Sequence, residues 1–286
     1  MFPGPVFNSH KHLYAIEAAL LACFMISAAA FTMLFELPQS PMHRAIASAD
    51  IRRTIIGAAM GTTAIVLIYS RWGKQSGAHM NPAITFAFLW LKRISFTDAL
   101  GYWIGQFTGG VLGMLICRSF ARPWVADAAV NYVVTIPGSR GVIIAWIAEF
   151  VISFALQFTV LTVNASRWMS RTGYVAGFLV FLYITFEAPL SGMSMNPSRT
   201  LGSAVSAQLF TGLWVYFTAP LLGMISAIEF RQLLGTAKHS LCGRLNHCPH
   251  TVSIFQCNCL GHSIIQTGES QRHSKEKPCP TQTITT

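Results

Sequence analysis

The chain has 286 residues, of which 52% are hydrophobic and only 10% are charged, and its mean hydropathy is +0.48. Soluble domains carry about 25% charged residues, so this composition excludes an ordinary soluble fold and indicates a protein with several membrane spans. The net charge of +10 comes from Lys and Arg residues scattered between apolar runs. That distribution favours contact with anionic membrane lipid over binding of nucleic acid.

Six apolar runs are predicted to cross the membrane, because most of them approach the ~20 residues that a helix needs to span ~30 Å of hydrocarbon. Two shorter runs, 83–91 and 201–210, are too short to span and are predicted to enter the membrane halfway. Residues 1–12 are predicted to form a separate N-terminal segment. In chain order, the predicted spans are 13–37, 54–69, 99–117, 142–163, 173–190 and 212–230.

The span pattern predicts one channel-like domain, 13–235, made of two halves at 13–118 and 142–235. Each half has three spans, and an odd number inverts the second half relative to the first. The predicted fold class is therefore an all-α membrane protein with six transmembrane helices, two re-entrant half-helices and an inverted repeat. Six spans place both termini on one side, and a modest excess of Lys and Arg there predicts the cytoplasm.

The remaining residues, 236–286, form a polar tail rich in Ser, Thr, His and Cys that is predicted to be disordered. The irregular spacing of its Cys and His residues does not match a structural zinc site, so neither a metal nor a cofactor is expected. The short loops of the chain suggest a bacterial inner membrane.

A short motif occurs once in each half, with the copies SGAHMNPA and SGMSMNPS. Pro82 and Pro197 suit the first turn of a helix, where the missing N–H is not needed. Asn81 and Asn196 then fall on the N-cap position, where Asn is favoured. The motif therefore predicts two capped half-helices at equivalent points of the two halves.

Two half-helices that enter from opposite faces would bring their positive N-terminal ends together near the middle of the membrane. Oriented donors at such a junction repel cations and reorient water, which is one way for a pore to exclude protons. The small residues Ala83 and Ser198 complete each motif. The residues before each Asn are predicted to be extended and to line a water-filled cavity with their carbonyl groups.

Four further polar residues occur at positions that are expected to lie at membrane depth. Arg199 is predicted to donate hydrogen bonds to a passing solute, because an Arg in this setting is costly and usually functional. Glu17 and Glu149 are predicted to accept hydrogen bonds from the re-entrant loops, with a proton relay as the alternative. His79 is predicted to line the inner vestibule, with ordinary loop packing as the alternative.

These residues resemble the aquaporin family, also called major intrinsic proteins. SGAHMNPA is similar almost letter for letter to the first family signature, and NPSRTLG to the second, with Ser198 replacing the usual Ala. The resemblance covers about residues 10–235. It implies an hourglass of six spans, a pore in each subunit of a homotetramer, and passive flow of water and small neutral solutes. It also implies that the protein is not an enzyme and needs no cofactor.

The family's narrowest constriction is formed by four positions. Counted without gaps from each Asn, they correspond to Gly61, Ile184, Met193 and Arg199. Water-selective members typically have Phe and His where this chain has Gly61 and Ile184, so the resemblance implies a wider and more apolar constriction. Glycerol, urea, ammonia or an undissociated hydroxide such as boric acid would fit it.

Other positions are more similar to the water-channel branch of the family, namely Thr200, Ala204, Tyr216 and Phe217. The solute therefore stays open at this point. An ion- or proton-coupled secondary transporter is the main alternative, and it would need buried acids that face the solute path. A non-conducting membrane protein is the third possibility.

Overall fold

A computed structural model describes residues 5–235, 242–246 and 254–255, with side chains from Ser9 onward. The described residues form eleven α-helices and no strand. In chain order the helices are α1 (Pro5–Glu36), α2 (Pro41–Ala45), α3 (Ala49–Tyr69), α4 (Arg71–Ser76), α5 (Pro82–Trp90), α6 (Phe96–Val125), α7 (Val142–Asn164), α8 (Thr172–Phe186), α9 (Ala188–Ser191), α10 (Pro197–Ala207) and α11 (Leu213–Leu233).

Six helices of the described chain are long and apolar enough to cross a membrane: α1, α3, α6, α7, α8 and α11. The prediction of six spans is therefore confirmed. Some spans begin earlier than their apolar runs, because a polar first turn precedes the apolar part. Ser95 caps α6 by accepting from the backbone N–H of Asp98 at 3.1 Å. Likewise, α1 begins at Pro5, inside the predicted N-terminal segment 1–12.

Equivalent helix pairs pack closely in the two halves, α1 with α6 and α7 with α11. A Cβ at Gly105 of α6 would lie 2.3 Å from the carbonyl oxygen of Tyr14 in α1. A Cβ at Gly223 of α11 would lie 2.4 Å from the carbonyl oxygen of Phe150 in α7. Because only glycine permits such approach, these positions bring the helix backbones together. A third close pair, α3 with α8, joins one half to the other.

The two half-helices begin directly after the Asn of each motif. Asn81 precedes α5 and Asn196 precedes α10, and a proline occupies the first turn of each helix. The second half-helix starts at Pro197, earlier than the apolar run at 201–210 suggested, because the cap rather than the apolar run sets its start. Both half-helices are buried among the spans and carry the motif residues to the interior of the fold.

Candidate functional site

The two motifs meet through a reciprocal pair of hydrogen bonds. The side-chain amide of Asn81 donates to the carbonyl oxygen of Met195 at 2.7 Å. The amide of Asn196 donates to the carbonyl oxygen of Met80, also at 2.7 Å. The two asparagines therefore hold the motifs of the two halves against each other in a symmetric arrangement.

Each asparagine also caps its own half-helix with the side-chain oxygen. Oδ1 of Asn81 accepts from the N–H of Ala83 at 2.8 Å. Oδ1 of Asn196 accepts from the N–H groups of Ser198 and Arg199 at 3.1 and 3.2 Å. An Asn amide carries two hydrogens, so each side chain keeps one N–H for a solute after its bond to the opposite motif.

The backbone before each asparagine is not extended, contrary to the sequence prediction. Ala78, Met80, Met193 and Met195 have φ between +50° and +56°. Left-handed backbone costs roughly 1–2 kcal/mol per residue with a Cβ, so buried contacts must compensate for it. In each half, the left-handed residues turn two consecutive backbone N–H groups toward one buried carboxylate. The hydrogen bonds to this carboxylate offset the cost of the left-handed backbone.

In the first half this carboxylate is Glu17, which is fully buried. It accepts from the backbone N–H groups of His79 and Met80 at 3.1 and 2.6 Å. It also accepts from the hydroxyl of Ser76 at 2.6 Å and the amide of Gln106 at 2.9 Å. Four donors therefore surround one carboxylate and fix the shape of the first re-entrant loop.

Glu149 occupies the equivalent place in the second half and is also fully buried. It accepts from the N–H groups of Ser194 and Met195 and from the hydroxyl of Ser191, each at 2.7 Å. The same hydroxyl lies against Oε1 of Glu187. A hydroxyl has one proton to donate, so Glu149 and Glu187 share this donor. The repeated motif does not include Glu187, so the motif gave no signal for this second carboxyl group.

A cavity of about 280 Å³ runs past both asparagines. Its wall combines apolar side chains from the spans with polar groups from the re-entrant loops. Nη1 of Arg199 is buried and has no hydrogen-bond partner within the described part of the chain, and Arg199 forms part of the cavity wall. Six predicted site residues line the cavity: His79, Asn81, Ile184, Met193, Asn196 and Arg199.

Gly61, the fourth predicted constriction residue, is not in the cavity wall formed by the described residues. It lies against α8, where an added Cβ would be 2.5 Å from the carbonyl oxygen of Gly177. The preceding residue, Met60, lines the cavity instead. Counting along the chain therefore found the right turn of α3 but the wrong face of the helix.

The other motif residues, Pro82, Ala83, Pro197 and Ser198, are buried beside the cavity rather than in its wall. They begin the half-helices and pack against neighbouring spans. A Cβ at Gly110 of α6 would lie 2.4 Å from the carbonyl oxygen of Ser198. This close approach of the two backbones requires a glycine at position 110 and holds the start of α10 against α6.

His79 lies at one end of the cavity and is 1% exposed. Its Nε2 donates to the carbonyl oxygen of Gly243 at 2.7 Å, because a carbonyl can only accept. Its Nδ1 lies 3.0 Å from the hydroxyl of Thr85, and its ring stacks on Phe88 at 5.1 Å. The contact with Gly243 joins the vestibule to the polar tail, which local sequence signals did not indicate.

The chain is similar to known proteins in sequence and in fold. The family model described as "Major intrinsic protein" matches residues 7–229. Aquaporin NIP2-3 of Zea mays is 36% identical over 186 residues, or 62% of this chain and 60% of that relative. Aquaporin NIP6-1 of Arabidopsis thaliana is 35% identical over 179 residues, or 62% and 57%. The chain therefore spans less than two thirds of the length of these relatives.

Among solved structures, the X-ray structure of the aquaglyceroporin from Plasmodium falciparum matches with a TM-score of 0.62. The match covers 76% of this chain and 93% of that chain at 18% sequence identity. At this identity the likeness concerns the fold, and it confirms the fold class predicted from the sequence.

Proposed function

Because the chain belongs to the major intrinsic protein family, we propose that it is a passive transmembrane channel for water and small uncharged solutes. The observation that carries the proposal is the reciprocal pairing of Asn81 and Asn196 in the wall of a cavity. The relatives named above are called aquaporins, and the solved structure is of an aquaglyceroporin. These names agree with the proposed class.

The geometry supports a mechanism of ordered passage. A water molecule beside the asparagines receives a hydrogen bond from the remaining amide N–H of each, so its oxygen faces the half-helices. The positive ends of α5 and α10 favour the same orientation. A water held by two donors in this way cannot accept a proton from a neighbouring water, and the pore excludes protons while water moves.

The apolar wall favours solutes larger than water. Met60, Ile184 and Met193 line the cavity, and Arg199 adds a buried donor to it. A solute such as glycerol or urea could accept hydrogen bonds on one side and rest its remaining surface on these side chains. We propose that the channel passes such neutral solutes as well as water.

A coupled transporter is not favoured by the placement of the buried acids. Glu17 accepts four hydrogen bonds and Glu149 accepts three, most of them from the re-entrant loops. Neither lies in the cavity wall formed by the described residues. Coupling would require an acid that meets the solute or ion along its path, and these two acids support the loops instead.

The chain is an integral membrane protein with six candidate spans among its described residues. We propose that both termini lie in the cytoplasm, as the bias of Lys and Arg suggests. Exposed apolar side chains such as Ile143, Phe178 and Phe186 fit lipid or a neighbouring subunit, so a homotetramer is proposed too. The relatives named above come from plants, which argues against the expected bacterial inner membrane.

Uptake of labelled glycerol and urea into proteoliposomes of the full chain tests this function against the transporter. The channel predicts uptake above that of empty vesicles, equal final concentrations on both sides, and no change when a proton or sodium gradient is imposed. Accumulation driven by either gradient would establish the transporter instead. Uptake equal to that of empty vesicles, both for the full chain and for a chain without 236–286, would count against both.

A further inference from the structure

The described part of the polar tail, residues 242–246 and 254–255, packs against one end of the cavity. These residues have defined contacts in the structure, the rest of the tail lies outside the described residues, and the disordered tail stays a prediction. We call 242–246 with Phe255 the tail plug. The end that it contacts is formed by the last turns of α3 and α7 and the first turns of α6, on the side of both termini.

The tail plug forms backbone contacts with the first re-entrant loop. The N–H of Leu245 donates to the carbonyl oxygen of Gly77 at 3.1 Å. Nε2 of His79 donates to the carbonyl oxygen of Gly243 at 2.7 Å. Gly77 and His79 belong to the first repeated motif, so the plug is attached directly to the element that builds the pore.

Two asparagine side chains hold the plug from either side. Asn246 uses its amide to donate to the carbonyl oxygens of Ile68 and Gly73 at 2.6 and 2.7 Å. Asn164, at the end of α7, donates to two carbonyl oxygens of the plug at 2.8 and 3.2 Å. All four hydrogen bonds are buried, so they attach the plug to the ends of α3 and α7 and to α4 without competition from solvent.

Apolar contacts complete the fit of the plug. Leu245 is 3% exposed and forms part of the cavity wall. The ring of Phe255 lies 5.0 Å from that of His79 and 6.0 Å from that of Tyr102. A Cβ at Gly77 would lie 2.7 Å from the Phe255 ring, so the loop fits closely around it. The plug thus packs against the end of the cavity where His79 lies.

We propose that the tail plug is an autoinhibitory element that closes the channel from the side of the termini. Leu245 blocks the end of the cavity, and Asn246 and Asn164 hold the closed position. The channel then opens when the plug leaves the vestibule, which exposes His79 and Gly77 to water. This inference rests on the proposed channel function, because closing has meaning only if the cavity conducts.

Osmotic water flux into proteoliposomes, measured by stopped-flow light scattering, tests the proposal with three chains. These are the full chain, a chain that lacks 236–286, and a control chain that lacks only 261–286 and keeps the plug. The first deletion is expected to raise the rate per reconstituted protein by about tenfold, since it removes the closed state altogether. The control deletion is expected to match the full chain.

A substitution in the full chain guards against loss of the fold on deletion. Asn246→Ala removes two buried hydrogen bonds of the plug, and a rise of about threefold to tenfold in flux is expected. Gln232→Ala removes an exposed amide from α11 and is the matched control, with flux equal to that of the parent chain.

The outcomes distinguish the plug proposal from the channel proposal. Faster flux in the deletion and in Asn246→Ala supports both. Equal flux above empty vesicles in the full chain, the deletion and Asn246→Ala would overturn the plug and leave the channel standing. Flux equal to empty vesicles in every chain would overturn the channel, and the plug with it. If the chain without 236–286 fails to reconstitute, the comparison of water flux between Asn246→Ala and Gln232→Ala decides alone. Equal flux in these two variants would overturn the plug proposal.

Discussion

The side-chain amide of Asn196 donates to the carbonyl oxygen of Met80 at 2.7 Å, although the two residues are 116 positions apart in the chain. The same asparagine accepts from the first N–H groups of its own half-helix. One side chain therefore caps a helix and joins the two halves of the fold. The pore and the fold depend on the same hydrogen bonds, and changes in this region should affect stability as well as flux.

Asn196→Ala should destabilise the protein measurably. The change removes a helix cap, which contributes about 1 kcal/mol, and leaves the buried carbonyl of Met80 without its donor, which costs about 1–3 kcal/mol. For a chain of this size the melting temperature should fall by about 5–10 °C, as measured by intrinsic fluorescence in detergent. Gln232→Ala should melt with the parent chain, and an unchanged melting temperature for Asn196→Ala would contradict the structural role of this bond.

Glu149→Gln should weaken the second re-entrant loop even though the two side chains have the same shape. The glutamine amide would place a donor where the carboxylate accepts from the backbone N–H of Ser194 or Met195. One buried N–H would lose its partner, at a cost of about 1–3 kcal/mol. Thermal unfolding measures the effect, with the exposed Glu229→Gln as the control. Equal stability of the two variants would show that the carboxylate is not needed to hold the loop.

Met60→Phe should reduce the flux of glycerol and urea more than the flux of water. Met60 lines the cavity, and a rigid ring there narrows the passage for the larger solutes first. Ala58→Phe adds the same ring to the exposed face of α3 and should leave all three fluxes unchanged. Stopped-flow measurements with water, glycerol and urea gradients compare the three fluxes of both variants with those of the parent chain. A proportional loss of all fluxes in Met60→Phe would argue against a role of this wall in selectivity.

Gly61→Ala should act on stability rather than selectivity. The added methyl group would lie 2.5 Å from the carbonyl oxygen of Gly177, so α3 and α8 would have to move apart. Overpacking of this kind costs about 1–3 kcal/mol, which thermal unfolding would detect. If Gly61→Ala kept the parent's stability while lowering the ratio of glycerol flux to water flux, Gly61 would face the pore after all.

Arg199→Val should make the pore leak protons and small cations while water still passes. The guanidinium of Arg199 places a positive charge at the cavity wall, and its removal lowers the barrier to cations. Proton entry into proteoliposomes that contain a pH-sensitive dye measures the leak. The exposed Arg140→Val is the control and should remain tight. If Arg199→Val admitted protons no faster than the parent chain, cation exclusion would depend on the half-helices alone.

Local signals predicted the spans and the caps well. An apolar run of sufficient length specifies a membrane helix wherever it packs, and an Asn before a Pro specifies a helix start without knowledge of its surroundings. The family resemblance also placed Ile184, Met193 and Arg199, which do lie in one cavity wall. These features depend on neighbours in the chain or on a motif, so the sequence was sufficient for them.

Features that depend on distant contacts were not predictable in the same way. Whether Gly61 or Met60 faces the cavity depends on the rotation of α3, which its contact with α8 decides. The left-handed backbone at Met80 and Met195 needs the carboxylates of Glu17 and Glu149 to be favourable. The docking of Leu245 onto Gly77 joins segments with no shared pattern, and composition alone suggested a disordered tail.

The most direct test of the central claim is osmotic water permeability measured by stopped-flow light scattering on vesicles of one lipid composition. Empty vesicles, the full chain and the chain without 236–286 would be compared at equal protein content and without any ion gradient. The account predicts that both chains shrink vesicles faster than lipid alone, the shortened chain by the larger factor. Rates equal to those of empty vesicles for both chains would contradict a water channel.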